Sequence, residues 1–206
     1  MNRPIVVVAG NLGVGKTTLV EMLGQRLQWH IVHEAVSDNP YLRDYYANMA
    51  AWAFHLQLYF LGHRAAQHLG VSTVERGVIM DRSVYEDANV FAKALYEMGK
   101  ISERDHDTYM RLYGIVERVL PKPSLLVYLT APVNVLMERI SARGLAFDRQ
   151  GIDENYIASI ASYYRRWIDE YRDCPVYTID TAQCNYVADV ESFNAIVAGI
   201  NQYIGG

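Results

Sequence analysis

An α/β fold with a mostly parallel sheet covered on both faces is predicted for this 206-residue chain by three observations. Short apolar runs alternate with longer segments of helical periodicity, the arrangement that builds parallel sheets. The first run, Ile5 to Val8, is apolar at every position, as a strand buried on both faces requires. It feeds directly into the glycine-rich stretch GNLGVGKTT, Gly10 to Thr18, and then into TLVEMLGQRL, whose apolar residues fall at helical spacing.

The elements follow from the chain in order. A strand over 5–9 and the helix behind the glycine-rich loop lead to a second strand over 29–33, which ends just before Glu34. Asn39-Pro40 punctuates the chain, and the pattern predicts a long helical region over 41–70, broken near Asn48 and again near Gly62. A short strand over 78–80 runs into Asp81, Arg82 and Ser83. Helices are predicted over 84–98, stopped by Gly99, and over 103–120, closed by Pro121 and Pro123. The run 125–129 is the clearest later strand, and Pro132 suits the first turn of the helix that reaches Arg143, where Gly144 ends it. A connector over 145–151, a helix over 153–172, a strand over 176–179 and a terminal helix over 187–203 complete the chain. No repeat or linker interrupts this order, so one domain over 1–206 is the expectation.

Composition narrows the partners. With 19 Lys plus Arg against 23 Asp plus Glu, the formal charge of −4 argues against a nucleic-acid backbone, while a small anion held by local arginines remains open. No uncharged apolar span of about 18 residues occurs and no long apolar segment follows the first charge, so no membrane partner and a cytoplasmic location are expected. Cys174 and Cys184 lack metal-binding spacing and are expected to be thiols in a reducing compartment. The 16 tyrosines, against 5 phenylalanines, can line an apolar wall and still offer a hydroxyl, or simply pack.

The glycine-rich stretch fits GxxxxGK[ST] at Gly10, Gly15, Lys16 and Thr17, with a third glycine at Gly13 and with Asn11 and Thr18 completing the loop. A run of backbone N–H groups must curl around a phosphate there, and side chains at the tight positions would block it. Lys16 can reach the β- and γ-phosphates, the Thr17 hydroxyl can hold Mg²⁺, and the helix presents its positive N-terminus to the anion. A nucleoside triphosphate is therefore the first expected partner.

A second motif, DRSVYED from Asp81 to Asp87, directly follows a strand. Asp81 can approach Mg²⁺ directly or through water, and Arg82 can steady a substrate group or the transferring phosphoryl, although a loop salt bridge would read the same way. Glu34 stands where open α/β sheets place ligand residues and is the candidate general base, with a helix cap or a surface acid as the plainer reading. Gln57 and Arg64, seven residues apart, share one helix face, with Leu61 near that line and Trp52, Phe54 and Phe60 available as walls. A planar amide above apolar packing suits the edge of a nucleobase, and a solvated Gln and Arg on an amphipathic helix fits the same spacing. Arg139 and Arg143 lie four apart ahead of Gly144 and Arg149, so residues 139–151 read either as a lid that neutralises the γ-phosphoryl oxygens or as a basic surface helix.

Taken with the phosphate loop, DRSVYED resembles the deoxynucleoside kinase family, especially its bacterial deoxyadenosine and deoxyguanosine kinase branch, and the resemblance covers nearly the whole chain. It implies a three-layer P-loop kinase fold with a five-stranded parallel sheet covered by helices and a short lid, a homodimer, and transfer of the ATP γ-phosphoryl to the 5′-hydroxyl of a deoxynucleoside with Mg²⁺. By that match Glu34 is the catalytic base, Arg82 the arginine beside the 5′ position and Asp81 the acid near the metal. Gln57 is the glutamine that pairs with the base, while Arg64 and Asp87 form a charged pair around it that thymidine-preferring members usually lack. Tyr46 and Asp148 fall where a tyrosine and a glutamate hold the sugar 3′-hydroxyl, and Arg139 and Arg143 match two lid arginines. The chain departs from the family pattern at Arg143-Gly144-Leu145, where a third arginine is frequent, and at Asp148, one methylene shorter than glutamate. The resemblance implies phosphorylation of a purine deoxynucleoside, or of deoxycytidine. A thymidylate-like monophosphate kinase and a nucleotide-dependent switch are the alternatives.

Overall fold

The computed structural model describes residues 3–34, 39–143 and 153–205, the side chain of Arg143 excepted. Strands β1 (Ile5–Gly10), β2 (His30–Val32), β3 (Val78–Asp81), β4 (Leu125–Thr130) and β5 (Val176–Asp180) form one sheet in the order β2-β3-β1-β4-β5. Every neighbouring pair is parallel, so the carboxyl ends of all five strands open on one edge. Ligands of open parallel sheets bind along that edge.

The uniformly apolar β1 sends alternate side chains to two separate cores. Val6 and Val8 join Leu19, Val20 and Leu23 of α1 (Lys16–Leu27), Leu136 and Ile140 of α7 (Val133–Arg143), and Ile196, Val197 and Ile200 of α9 (Val190–Ile204). On the other face Val7 and Ala9 meet α3 (Met49–Gly70), α6 (Glu103–Val119) and α8 (Glu154–Glu170) through Leu61, Tyr109 and Tyr164. Three layers result, with the sheet buried between two helical ones. A smaller cluster of Tyr45, Ala53, Leu56, Leu95 and Ile101 ties α2 (Leu42–Ala47) to α3 and α5 (Lys93–Glu97).

Side-chain caps set several helix starts. Asn48, Ser102, Asp153 and Asp189 each accept a backbone N–H from the first turn of α3, α6, α8 and α9, respectively. The break expected at Asn48 is that cap, but α3 runs unbroken through Gly62. Twenty-two residues of helix anchored by Leu56, Leu61 and Ala65 outweigh one glycine, which costs only about 1 kcal/mol. The predicted helix over 84–98 is a composite. A single turn α4 (Val84–Glu86) widens into a π-helical segment, Asp87–Ala92, before α5 resumes. The terminal helix begins at Val190 rather than at Val187, because Asp189 caps it. Residues 144–151 of the expected lid, with Arg149 and Asp148, lie outside the described residues. Both cysteines are free thiols, and among the described residues no helix is long and apolar enough to cross a membrane.

Gly10 ends β1 with φ +147°, and a Cβ there would stand 2.5 Å from the Leu129 carbonyl oxygen of β4. Close strand approach, not loop softness, requires this glycine. In urea unfolding, Gly10→Ala is expected to lose more than about 2 kcal/mol, against about 1 kcal/mol for Asn48→Ala, which removes only a cap. Equal stability of Gly10→Ala and the wild type would refute the close-approach account.

Candidate active site

The loop after β1 wraps into α1, whose first turn carries no acid and whose cap, Gly15, has no side chain. The positive helix end is therefore left for a ligand. Gly15 adopts φ +105°, and a Cβ there would fall 2.4 Å from the Tyr186 hydroxyl, which itself donates to the Gly15 carbonyl at 2.9 Å. The loop is thus held from behind by the segment after β5. Asn11 adds a second brace, donating from Nδ2 to the Ile157 carbonyl of α8 at 2.9 Å.

Lys16 is buried and curls back, donating to the Gly10 and Asn11 carbonyls at 2.8 and 2.9 Å. Burial, aided by the Arg82 charge, lowers its pKa to about 8. From the first turn of α1, Thr17 Oγ1 donates at 2.6 Å to Asp81 Oδ2 at the end of β3. Asp81 Oδ1 is buried and lacks a hydrogen-bond partner among the described residues. An orphaned carboxylate oxygen beside a threonine hydroxyl fits a hard cation that keeps several waters and shares phosphate oxygens. No group of three or more His, Cys, Asp or Glu among the described residues forms an all-protein cage, which Mg²⁺ does not need.

A cavity of about 370 Å³ runs from Gly13, Gly15, Lys16 and Thr17 to Tyr46 and Gln57. Two arginines divide its carboxylates. Arg64 donates from Nη2 to Glu34 Oε1 at 2.8 Å, and its Nε lies 2.7 Å from Asp87 Oδ2. Arg82 Nε lies 2.9 Å from the same Glu34 oxygen, while its Nη1 meets Glu86 Oε1 at 2.7 Å and the Tyr164 hydroxyl at 3.0 Å. The two Nε contacts are charge pairs whose N–H vectors are not aimed as hydrogen bonds. Phe60 lies under the Arg64 guanidinium at 4.9 Å and Phe91 under that of Arg82 at 5.0 Å.

Burial alone would raise the Glu34 pKa, but Arg82, Arg64 and Lys16 outweigh it and hold the carboxyl at about 2. Glu34 is ionised throughout the neutral range. Asp87 is the reverse case, pushed up to about 7 by burial despite Arg64 beside it. Arg82 holds its cluster from a left-handed backbone, φ +71°, with its N–H bonded to the Val8 carbonyl at 3.1 Å. That conformation costs a non-glycine residue roughly 1–2 kcal/mol, and it persists where the surroundings over-determine it.

Tyr46, Gln57, Arg64, Arg82, Asp87, Asp81 and Glu34, read from separate stretches, line this cavity together with the loop residues. Gln57 is buried, and its Oε1 has no partner among the described residues. Gly10 and Asn11 stand behind the cavity as acceptors for Lys16, and Thr18 is half-buried one step into α1. Of the expected aromatic walls, Phe60 lines the cavity, whereas Trp52 and Phe54 do not. Arg139 is placed differently from a free lid arginine. It donates to Thr181 Oγ1 and to the Thr181 carbonyl, each at 2.8 Å, and to the Val14 carbonyl at 3.4 Å, clamping α7 to the segment after β5. The Arg143 side chain and Asp148 lie outside the described residues.

Several contributors escape a reading of the sequence. Tyr45 and Tyr156, joined by a side-chain hydrogen bond, close one wall of the cavity from α2 and α8. Tyr164 and Tyr186 come from 82 and 171 residues away in sequence from the groups they hold, Arg82 and Gly15. Glu86 alone carried a local signal, lying four residues after Arg82 inside DRSVYED.

A phosphate-binding loop, a cation-ready acid and an ionised carboxylate sharing one cleft at the carboxyl edge of a parallel sheet suit phosphoryl transfer, and they place the chain among the phosphate-loop kinases. The chain belongs to the deoxynucleoside kinase family, whose sequence model matches residues 6–205. It is 34% identical over 202 residues to a deoxyadenosine/deoxycytidine kinase of Bacillus subtilis (97% of this chain, 93% of the relative). It is 29% identical over 205 residues to a deoxyguanosine kinase of the same organism (98% of each chain). The structure of a deoxyadenosine kinase from M. mycoides with dCMP and a flexible dCDP bound superimposes with a TM-score of 0.84 at 26% identity (96% of this chain, 99% of that one). The protein is thus a transferase that phosphorylates deoxynucleosides to monophosphates.

The lowered Lys16 pKa has a measurable consequence. At pH 8 the free ammonium is about half protonated, and an adjacent polyphosphate favours its charged form, so binding takes up about half a proton. Calorimetric titration of a nucleoside triphosphate at pH 8 in buffers of different ionisation enthalpy is expected to show this uptake, and Lys16→Met to abolish it. Enthalpies independent of buffer would contradict it.

Proposed function

We propose that the chain transfers the γ-phosphoryl of ATP, with Mg²⁺, to the 5′-hydroxyl of a purine 2′-deoxynucleoside, deoxyadenosine foremost. The observation that carries this reading is Gln57, whose buried, unpartnered Oε1 lines the same cavity as Glu34 and the phosphate loop. An acceptor oxygen held without a donor suits an exocyclic amino group, which adenine, guanine and cytosine carry and thymine lacks. The similarity to a deoxyadenosine/deoxycytidine kinase, 34% identical, against 29% for a deoxyguanosine kinase, puts deoxyadenosine first. Arg64 and Asp87, locked together beside Gln57, favour exclusion of thymidine by leaving its carbonyl edge opposite a fixed amide and a buried ion pair.

In this reading Tyr46, with Asp148 outside the described residues, holds the sugar, and Glu34 accepts the 5′-hydroxyl proton. A carboxylate of pKa about 2 is a weak base, which suits a loose transfer in which the proton leaves late. Lys16 moves from the Gly10 and Asn11 carbonyls to the phosphates, and Arg82 faces the developing charge. Bound through Thr17 and Asp81, Mg²⁺ would neutralise phosphate charge. Arg139 and Arg143 belong to a lid over 139–151 in a single domain, with Arg139 exchanging Thr181 for the donor. A cytoplasmic homodimer completes the proposal, with the exposed Leu112, Ile115 and Val119 of α6, and Leu58 and Leu69 of the α3 helix that packs against it, offering apolar surface for a second copy.

A thymidylate-like monophosphate kinase would need a spare cation for the acceptor phosphate. Among the described cavity residues, Arg64 and Arg82 are already engaged by carboxylates and Lys16 serves the donor.

A steady-state acceptor panel with ATP and Mg²⁺ tests the proposal. Deoxyadenosine is expected to exceed thymidine at least tenfold in kcat/KM, about 1.4 kcal/mol of discrimination, with monophosphates inert. Comparable thymidine turnover would overturn the base assignment. Glu34→Gln is expected to lower kcat by about 100-fold or more with the nucleoside KM little changed. Near-normal kcat in that variant would remove Glu34 as the base.

A further inference from the structure

Glu86 belongs to DRSVYED but has no part in the transfer described above, and it is fully buried. Its Oε1 accepts from Arg82 Nη1 at 2.7 Å and from the Tyr164 hydroxyl at 2.5 Å, while its Oε2 has no partner among the described residues. A buried carboxylate with an orphan oxygen is a costly way to fill space, and apolar replacements of buried ionic groups often fold more stably. Its position points to a use in the reaction. Arg82 lies between two carboxylates, Glu34 on the cavity side and Glu86 on the buried side. A guanidinium can donate two parallel hydrogen bonds to one carboxylate, a fork that would cap Glu34 and withhold its lone pairs from an incoming hydroxyl. Glu86 and Tyr164 take the hydrogens of Nη1 and so anchor the guanidinium's orientation from its buried edge, and in that orientation the Nε contact to Glu34 at 2.9 Å is not aligned as a hydrogen bond. Phe91, in the π-helical segment just after Glu86, lies under the guanidinium plane and limits its swing.

We propose that Glu86 and Tyr164 are positioning residues that hold the Arg82 guanidinium away from a forked pairing with Glu34, so that Glu34 keeps a free oxygen for the acceptor hydroxyl while Arg82 stays aimed at the transferring phosphoryl. The inference rests on the deoxynucleoside kinase reading with Glu34 as proton acceptor. Loss of Glu86 would act on the chemical step, not on binding of either substrate.

Steady-state kinetics with deoxyadenosine and ATP, together with thermal unfolding, test this on Glu86→Gln, Tyr164→Phe and Glu86→Asp. The expected result is a kcat loss of about 10- to 100-fold for Glu86→Gln and about 3- to 10-fold for Tyr164→Phe, with both KM values within about threefold of wild type. Glu86→Asp, which keeps the charge, is expected to recover part of the loss, and the melting temperatures are not expected to track kcat. A merely structural role would lower the melting temperature and leave kcat per folded molecule unchanged, which would overturn the proposal. So would a rise in KM at constant kcat. Tyr164→Phe removes one oxygen from a packed ring and keeps the test decisive should Glu86→Gln fail to fold. A wild-type enzyme active on no deoxynucleoside would overturn the reading beneath the proposal, whereas an active wild type with unaffected variants would overturn the positioning role alone.

Discussion

Two guanidinium groups buried at the mouth of a parallel sheet set the terms for the rest of the site. Arg64 and Arg82 are each almost wholly removed from solvent, a position that charged groups hold only when carboxylates surround them. Those carboxylates come from three places: Glu34 beyond β2, Glu86 from α4 and Asp87 from the π-helical segment. Only a fold that brings the ends of β2 and β3 together beside α3 can satisfy both arginines at once. The positive-φ backbone of Arg82 and the π-helical widening after Glu86 are local departures from regular geometry that this convergence tolerates.

The groups of the site satisfy one another to a large extent. Lys16 rests on carbonyls of its own loop, Thr17 on Asp81, and Arg139 on Thr181. Each of these contacts uses a group that phosphate or a cation can take over, so binding exchanges partners instead of creating them. Among the described residues, Asp81 Oδ1 and Gln57 Oε1 lack a hydrogen-bond partner, as Glu86 Oε2 does behind Arg82. Asp81 and Gln57 both line the cleft, where metal and acceptor base respectively would supply what is missing.

Helix α8 links these parts physically. Its Ile157 carbonyl braces Asn11 of the phosphate loop, Tyr156 bonds Tyr45 of the acceptor wall, and Tyr164 holds Arg82 with Glu86. Stacking of Tyr164 on Tyr128 of β4 fixes that helix on the sheet. A chain rich in tyrosine thereby uses several of them as both core filling and hydrogen-bonding tips, the dual role that phenylalanine cannot play.

What was legible in the residues is what local chemistry dictates. A phosphate loop needs glycine, lysine and threonine at fixed short spacing, so Gly10 to Thr18 declares itself, and a buried parallel strand declares itself by unbroken apolarity. Gln57 and Arg64 were readable as one helix face because seven residues make nearly two turns. The strand order, the absence of a break at Gly62 and the π-helical widening were not readable, because packing across the sheet outweighs the local propensities that would have argued otherwise. The same holds for Tyr164 on Glu86 and Tyr186 on Gly15, contacts across 78 and 171 residues that leave no spacing to detect. The chain alone therefore determined the fold class and the phosphate chemistry, which depend on contiguous residues. Tertiary structure alone decided how one arginine is shared between two carboxylates, since burial and charge balance act only after distant segments have met.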